Sequence, residues 1–191
     1  MNQAITEYAA PTPRWESWFA DYRYGALYLF PPEPILGRVN ALRTLHDPAS
    51  QAICPAHVSL TVPLPRPLTE SAASEIASVV GHSAPFEVQW GPPYRYPGVT
   101  GVVLSIAPVD RLRALVNALE GCAAFAGAPA RRYPFSPHMT IAEFIDEART
   151  ESLLRELLPQ GLAGTWWCDT VAYAVPDADF RFTPRRVWRC G

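Results

Sequence analysis

Apolar and polar residues alternate along several short stretches of the chain, and in other stretches apolar residues recur every three or four positions. The first pattern predicts β-strands and the second predicts amphipathic helices. The predicted strands cover residues 25–30, 57–62, 86–90, 101–106, 138–142, 165–175 and 179–188, with the last two as a hairpin. The predicted helices cover residues 35–45, 69–80, 109–119 and 147–158.

Two segments lie outside this pattern. Residues 1–23 carry prolines and the aromatic side chains Trp15, Trp18 and Phe19, which predicts an N-terminal arm that packs on the body of the protein. Residues 91–98 are rich in Gly, Pro and Tyr, which predicts a loop between two halves of the chain.

The order strand, helix, histidine strand, helix, strand occurs twice along the chain. The first strands of the two halves begin at Gly25 and Gly101, and the histidine strands begin at His57 and His138. This spacing predicts one domain over residues 1–191 that contains two similar lobes, at about 24–98 and 99–190, each of mixed sheet and helices. The expected fold class is therefore α+β, bilobal and internally duplicated.

Each histidine strand presents an imidazole and a hydroxyl on one face. Alternate residues of a strand point the same way, so His57 and Ser59 lie on one side of the first strand, and His138 and Thr140 on one side of the second. Within each pair the two residues are roughly 7 Å apart along the backbone, which suits a phosphate-sized group. Thr61 and Ala142 are expected on the same outward faces.

Two opposed imidazoles suit the cleavage of a phosphodiester. Near neutral pH one can be neutral and accept a proton from water, while the other is protonated and donates to the departing oxygen. The hydroxyls of Ser59 and Thr140 are then available to bind the non-bridging oxygens. A zinc site is the rival interpretation, but two histidines without a third ligand make a poor closed site. His46 and His82 follow helix ends and are assigned no catalytic role.

Composition narrows the possible chemistry. All 16 basic residues are arginines, which closes the routes that need a lysine: a P-loop, a Schiff base or self-adenylation by an ATP-dependent ligase. A formal net charge of −2 lacks the basic footprint of a duplex-binding protein and favours a small substrate. Four cysteines without a CxxC pair, a start without a secretion signal and the lack of a long apolar run predict a reduced, cytoplasmic protein.

The two motifs carry a family resemblance. Pro55-Ala-His57-Val-Ser59-Leu and Ser136-Pro137-His138-Met-Thr140-Ile resemble the paired H-h-[T/S]-h motifs of the two-histidine (2H) phosphoesterase superfamily, which includes 2′-5′ RNA ligase-like proteins and 2′,3′-cyclic nucleotide phosphodiesterases. The resemblance covers residues 24–188. It implies two antiparallel-rich sheets around a central cleft and metal-independent opening of a 2′,3′-cyclic phosphate. It also implies that His138 activates water and that His57 protonates the leaving oxygen.

This chain departs from some relatives at one place. Some members carry an arginine shortly after the second motif, whereas Ala142-Glu143-Phe144 follows here, and Glu143 would repel a phosphate. Other arginines are candidates for the positive charge that this arginine would supply. Tyrosines are candidates for contacts with the substrate. The candidates are Arg131, Arg132, Arg66 and Arg95 for charge, Tyr28 and Tyr133 for substrate binding, and Tyr94 and Tyr96 as a possible lid.

Three functions stay open on the sequence. The first is a phosphodiesterase acting on nucleotides or RNA 3′ ends that end in a 2′,3′-cyclic phosphate, as a monomer without cofactor, metal or membrane. The second is a module of the same fold that binds a nucleotide or RNA end without turnover. The third is a 2′-5′ RNA ligase that works without ATP by reversing diester cleavage.

Overall fold

The computed structural model of the chain describes residues 3–131 and 133–191, which form a mixed α/β fold. The helices are α1 (Ile35–His46), α2 (Pro48–Ile53), α3 (Glu70–Gly81), α4 (Val109–Glu120) and α5 (Glu147–Leu157). The strands are β1 (Ala26–Leu29), β2 (Val58–Ser59), β3 (Phe86–Arg95), β4 (Gly101–Ala107), β5 (His138–Glu143), β6 (Gly164–Cys168), β7 (Thr170–Pro176) and β8 (Phe182–Arg189). Short 3₁₀ turns occur at Ser17–Tyr22, Ala123–Phe125 and Leu158–Gln160.

The strands form two antiparallel sheets of four. The first has the order β2-β1-β7-β8 and the second has the order β5-β4-β3-β6. Each sheet has a histidine strand at one edge, next to the first strand of the same half. The third position in each sheet is filled by a strand of the other half, because β3 pairs with β4 and β7 pairs with β1. The division between the sheets therefore does not coincide with a division of the chain near residue 98.

Both sheets contribute to one apolar core. In the first sheet Leu27 and Tyr173 are fully buried, and in the second Leu104 and Met139 are fully buried, together with the apolar sides of the helices. The opposite face of the first sheet is covered at one end by the N-terminal arm, where Phe19 stacks on Phe180 with ring centroids 3.6 Å apart. The expectation that the arm packs on the body is confirmed.

The prediction of a single strand over residues 165–175 is wrong. The chain leaves the second sheet after β6, turns at Asp169 and enters the first sheet as β7. The predicted hairpin is confirmed as β7 and β8, but β8 begins only at Phe182. The preceding residues form a turn in which the Asp177 side chain accepts hydrogen bonds from the backbone N–H groups of Asp179 and Arg181.

The prediction of a loop over residues 91–98 is also wrong, because β3 continues to Arg95. A register shift between Trp90 and Pro93 lets this Gly/Pro-rich stretch stay paired with β4. Gly91 makes the bend possible, since its φ of 78° lies in the region that favours glycine.

The first histidine strand is shorter than the predicted range of residues 57–62. Regular pairing with β1 stops at Ser59, and the Thr61 hydroxyl then accepts a hydrogen bond from the Leu27 backbone N–H. Thr61 is buried by this contact and does not share the outward face with His57. Ala142 is likewise buried, because a register shift in β5 turns it toward the core.

Helix α2 is absent from the predicted elements. Asp47 caps it by accepting a hydrogen bond from the Ser50 backbone N–H, and Pro48 occupies its first turn. The pair Asp-Pro is a helix-start signal. A helix as short as α2 shows no clear period of apolar residues, so the pattern used for the other helices does not find it. None of the helices in the described ranges is both long enough and apolar enough to cross a membrane.

Replacing Gly91 by alanine is expected to destabilise the protein far more than replacing Gly98. Both glycines have a positive φ, 78° and 79°, so alanine adds a similar backbone strain of about 1–2 kcal/mol at either position. A Cβ on Gly91 would lie 1.8 Å from the Leu162 carbonyl oxygen, whereas no described atom lies within 4 Å of a Cβ on Gly98. Urea unfolding should show an additional loss of roughly 3 kcal/mol for Gly91→Ala. Equal losses would contradict the close approach of β3 to the segment before β6.

Candidate active site

The two histidine strands lie next to each other although they belong to different sheets. Residues of β2 and β5 are in contact, and each strand is the edge of its sheet. His57 and His138 are close enough for the charge of one to affect the other, because a positive charge on His138 lowers the pKa of His57. The fold thus brings together the two histidines that the sequence singles out.

Both imidazoles are anchored in the same way. The Nδ1 atom of His57 lies 2.7 Å from the Pro55 carbonyl oxygen, and that of His138 lies 2.7 Å from the Ser136 carbonyl oxygen. A carbonyl only accepts, so each Nδ1 carries the proton and donates it. The neutral imidazole therefore leaves Nε2 as a proton acceptor, and the charged imidazole has Nε2–H as a donor.

Burial disfavours the charged form of both rings. Desolvation lowers the pKa of His57 to about 4, and the charges of Arg43 and His138 act in the same direction. Desolvation also lowers the pKa of His138 below its usual value. In each case the hydrogen bond to the backbone carbonyl opposes the shift without cancelling it. Both imidazoles are therefore neutral at pH 7 in the ligand-free protein.

The two hydroxyls remain available. Ser59 is exposed and pairs through its backbone with Tyr28, while Thr140 is half-buried and pairs with Val103. Within the part of the chain that the structure describes, neither hydroxyl forms a hydrogen bond. Each is free to donate to an incoming oxygen.

Aromatic rings support both histidines. The ring of Tyr28 meets the His57 ring edge-on with centroids 4.9 Å apart, and Phe30 lies 6.2 Å away on the same side. Tyr28 is only 3% exposed and packs against His57, as a core residue would, so its role in stacking on substrate stays a prediction. On the other side, the ring of Tyr96 lies 4.3 Å from that of His138.

Three of the arginines proposed as phosphate-binding charges are already bonded within the protein. Arg131 pairs with Glu120 and donates to the Leu60 carbonyl, just past the first motif. Arg66 donates to the Ala126 carbonyl, and Arg95 pairs with Glu147. Arg132, the fourth candidate, lies outside the described residues.

Tyrosines at the end of the first half and at the start of the second motif's approach lie near the His138 strand. Burial raises the pKa of Tyr94, and Ser136, whose carbonyl anchors His138, lies near enough to oppose that shift. Tyr133 is 65% exposed and lies near enough to Tyr96 to raise its pKa, although burial of Tyr96 is the larger cause. Tyr94 lies in β3 and Tyr96 directly follows that strand. Strand pairing therefore holds both residues more firmly than the predicted loop would.

Glu143 lies close to the site at the end of β5. Burial raises its pKa, the charge of Arg43 opposes that shift, and Asp47 adds to it. Its backbone N–H donates to the Asp47 carboxylate, so the segment after the second motif is attached to the end of α1. The neighbouring Phe144 is 76% exposed with a positive φ of 55°.

Sequence reasoning missed Arg43. This side chain is 3% exposed on α1 and donates to the carbonyl oxygens of Thr140 and Cys54 and to Gln51 Oε1. A basic residue in the last turn of a helix is common, so the sequence alone carries no sign of burial. Its one distinguishing feature is its position on the same side of α1 as Asn40, whose side chain accepts from the Ala56 backbone N–H.

The remaining histidines lie elsewhere. His46 contacts Arg149 at 2.8 Å and Glu156 at 3.6 Å, and His82 contacts the Ser78 carbonyl at the end of α3. In the described ranges, no three His, Cys, Asp or Glu side chains gather as a metal-binding group.

A hollow of about 330 Å³ opens on the first sheet beside the strand of His57. It includes Pro55, whose carbonyl anchors His57, and Phe30, which faces the His57 ring. Among the described residues that line it, only Thr170 has a polar side chain. The other lining residues are Leu36, Ala172, Pro184 and Val187.

A family model described as the 2′-5′ RNA ligase superfamily matches residues 31–180, which include both histidine motifs. The chain belongs to this superfamily. The resemblance to the two-histidine phosphoesterases drawn from the motifs is thereby confirmed.

Two Bacillus proteins are similar in sequence. The chain is 26% identical to a protein of Bacillus cytotoxicus over 133 residues and 27% identical to one of Bacillus cereus over 134 residues. Each alignment covers 69% of this chain and 76% of the relative. Both relatives bear the name "putative phosphoesterase".

Solved structures of Escherichia coli LigT have the same fold. The apo form superposes with a TM-score of 0.58 at 18% identity, over 86% of this chain and 95% of LigT. The form described as complexed with 3′-AMP gives a TM-score of 0.59 at 17% identity, over 86% and 96%. The predicted fold class, two antiparallel sheets flanked by helices, is confirmed.

The His57 imidazole should titrate far below the usual histidine range in the ligand-free protein. Desolvation and the charge of Arg43 favour its neutral form, so its midpoint is expected at about pH 4. Because the unfolded chain binds this proton near pH 6.5, folding stability should fall as the pH is lowered from 6.5 to 4. A pH titration of ¹⁵N-labelled imidazoles checks the midpoint and also the proton on Nδ1. A midpoint near 6.5 would contradict this environment.

Proposed function

We propose that the protein is a phosphoric diester hydrolase that opens the 2′,3′-cyclic phosphates of nucleotides or RNA 3′ ends, using His57 and His138 as an acid/base pair that needs no metal. The observation that carries the proposal is the matched anchoring of two adjacent imidazoles, each with its Nδ1 on a backbone carbonyl and with an unbonded hydroxyl two residues further on. Membership of the 2′-5′ RNA ligase superfamily supports the reaction class.

In the proposed reaction His138 gains one proton and His57 gives up one. Nε2 of His138 takes a proton from a water molecule as the water oxygen bonds to phosphorus. The bond from phosphorus to one ribose oxygen breaks, and Nε2–H of His57 gives its proton to that oxygen. The product is a ribose with one free hydroxyl and one phosphate monoester.

The unequal surroundings of the two rings support this division of roles. Desolvation and, to a smaller extent, the charge of Arg43 lower the pKa of His57 to about 4, so this ring is the weaker base and, once protonated, the stronger acid. His138 has no such nearby cation among the causes that shift its pKa, so it is the better proton acceptor of the two. A bound phosphodiester anion raises the pKa of both rings and allows one of them to carry the required proton.

The walls of the site fit the rest of a nucleotide. Ser59 and Thr140 are placed to donate to the non-bridging oxygens as charge builds on them. The apolar hollow beside Phe30 and Pro55 suits the faces of a nucleobase. LigT, which has the same fold, has been solved with 3′-AMP, and this supports a nucleotide as ligand here.

The protein is also proposed to act in the cytoplasm. Its four cysteines are free, and Cys54, Cys122 and Cys168 are buried, as is usual for thiols in a reducing compartment.

Loss of either histidine should abolish the opening of 2′,3′-cyclic nucleotides. In the presence of EDTA, His57→Ala and His138→Ala are each expected to lower kcat by about 10²–10⁴-fold, because each removes one half of the proton transfer. His82→Ala is the matched control, since His82 lies at the end of α3, where its ring contacts the Ser78 carbonyl. Chromatographic separation of the products from the four cyclic nucleotides gives the rates.

Three results would contradict the proposal. They are full activity in either histidine variant, turnover that stops with EDTA, and tight nucleotide binding without product. The last result would favour a binding module.

Base preference is expected to be weak. Only Thr170 among the described residues of the hollow offers a side-chain hydrogen bond, and one such group contributes about 1 kcal/mol. The kcat/KM values for the four 2′,3′-cyclic nucleotides should therefore lie within roughly tenfold of one another. A preference of a thousandfold for one base would show that this hollow does not hold the base.

A further inference from the structure

A buried arginine connects the two histidine motifs. Arg43 reaches from α1 to the carbonyl oxygen of Thr140 in the second motif at 2.8 Å. It also donates to the carbonyl oxygens of Ser50 at 2.9 Å and Cys54 at 3.1 Å. Cys54 lies three residues before His57, so one guanidinium holds the approach to the first motif and the backbone of the second.

Every group that Arg43 is hydrogen-bonded to is neutral. Its acceptors are three backbone carbonyls and the side-chain oxygen of Gln51. No carboxylate in the described ranges lies within ion-pair distance of it, although Asp47 and Glu143 are near enough to affect its pKa. By contrast, Arg131 and Arg95 are paired directly with glutamates. Arg43 therefore retains a positive charge that is not cancelled by a direct partner.

The same side of α1 holds other parts of the motifs. Asn40 accepts from the backbone N–H of Ala56, the residue before His57, at 2.8 Å. Asp47 accepts from the backbone N–H of Glu143, at the end of the second histidine strand, at 3.1 Å. Residues 40 and 43 are three positions apart, so their side chains leave the helix on one side, and Asp47 directly follows the last residue of the helix.

We infer that Arg43 is a positioning residue of the active site, which fixes the two histidine motifs relative to each other and supplies the positive potential that attracts the substrate phosphate. At 3% exposure it acts through space and through the backbone, without touching the substrate. The inference rests on the proposed function for its catalytic meaning. The binding of a phosphate anion at the two histidines tests it independently of turnover.

The electrostatic part has a second readout in His57. The ionisable groups near this ring are Arg43 and His138, which lower its pKa, and Tyr28, which packs against it edge-on and stays neutral because burial raises its own pKa. Cys54 is neutral as well, since burial raises its pKa to about 12. Removing the charge of Arg43 must therefore raise the pKa of His57.

The experiment compares Arg43→Met and Arg43→Gln with wild type and with Arg38→Met. Both Arg43 variants remove the charge, and glutamine keeps one donor for the carbonyls so that the fold is less disturbed. Arg38 lies on the same helix, but it is exposed and donates to the Gln160 carbonyl. Imidazole NMR signals are followed against pH and against inorganic phosphate, and turnover of 2′,3′-cyclic nucleotides is measured in parallel.

In both Arg43 variants the affinity for phosphate is expected to fall roughly tenfold or more, since a nearby unit charge is lost. The pKa of His57 should rise above its value in wild type, and kcat/KM should drop by at least as much as the affinity. Arg38→Met should match wild type in all three.

Several results would overturn the inference. Folded Arg43 variants with unchanged phosphate affinity and unchanged His57 titration would do so. Failure of wild type to bind phosphate at the histidines, or failure of both variants to fold, would do so as well. Arg43-dependent phosphate binding without turnover in wild type would instead uphold the inference and refute the proposed function.

Discussion

The geometry of the site depends on the antiparallel pairing that holds each histidine strand at the edge of its sheet. β2 is held by β1, and β5 by β4, and these inner strands are in turn paired with β7 and β3. Because β3 and β7 cross between the two halves, neither half completes its own sheet. The exchange fixes one sheet against the other and so places the two edges, with their histidines, in contact.

The chemistry of the site follows from the burial of both imidazoles and of an arginine whose charge has no directly paired carboxylate. Both imidazoles are desolvated, both are oriented by a backbone carbonyl, and Arg43, whose charge lowers the pKa of His57, is buried among neutral acceptors. Such a site disfavours further positive charge while it is empty. When an anion enters, its negative charge stabilises a protonated imidazole. The substrate itself therefore supplies the charge that lets one histidine act as an acid.

The sequence predicts the parts of this arrangement that repeat with a regular period. The helices at residues 35, 70, 109 and 147 begin at, or within one residue of, the positions that capping residues or apolar periodicity predict, and alternation gives the correct facing of His57, Ser59, His138 and Thr140. Local periodicity does not show which strands pair. For that reason the break at Asp169, the continuation of β3 through Gly91 and the exchange between halves were not predictable.

Arg43 shows a different reason why part of the site was not predictable from the sequence. Its role depends on acceptors that lie 97 residues away at Thr140 and 7 residues away at Ser50. The arginines that stand close to the second motif in sequence, such as Arg131, are bonded to Glu120 instead. Proximity along the chain was therefore a poor guide to the charge that faces the site.

The most direct test of the central claim is a crystal structure of the protein with a nucleoside 2′,3′-cyclic phosphate, or with the corresponding vanadate. The account predicts one phosphorus or vanadium centre between the two motifs, with Nε2 of His57 and Nε2 of His138 each within about 3.2 Å of a different oxygen on that centre. A phosphate bound away from this position, or one that meets only one of the two imidazoles, would contradict it.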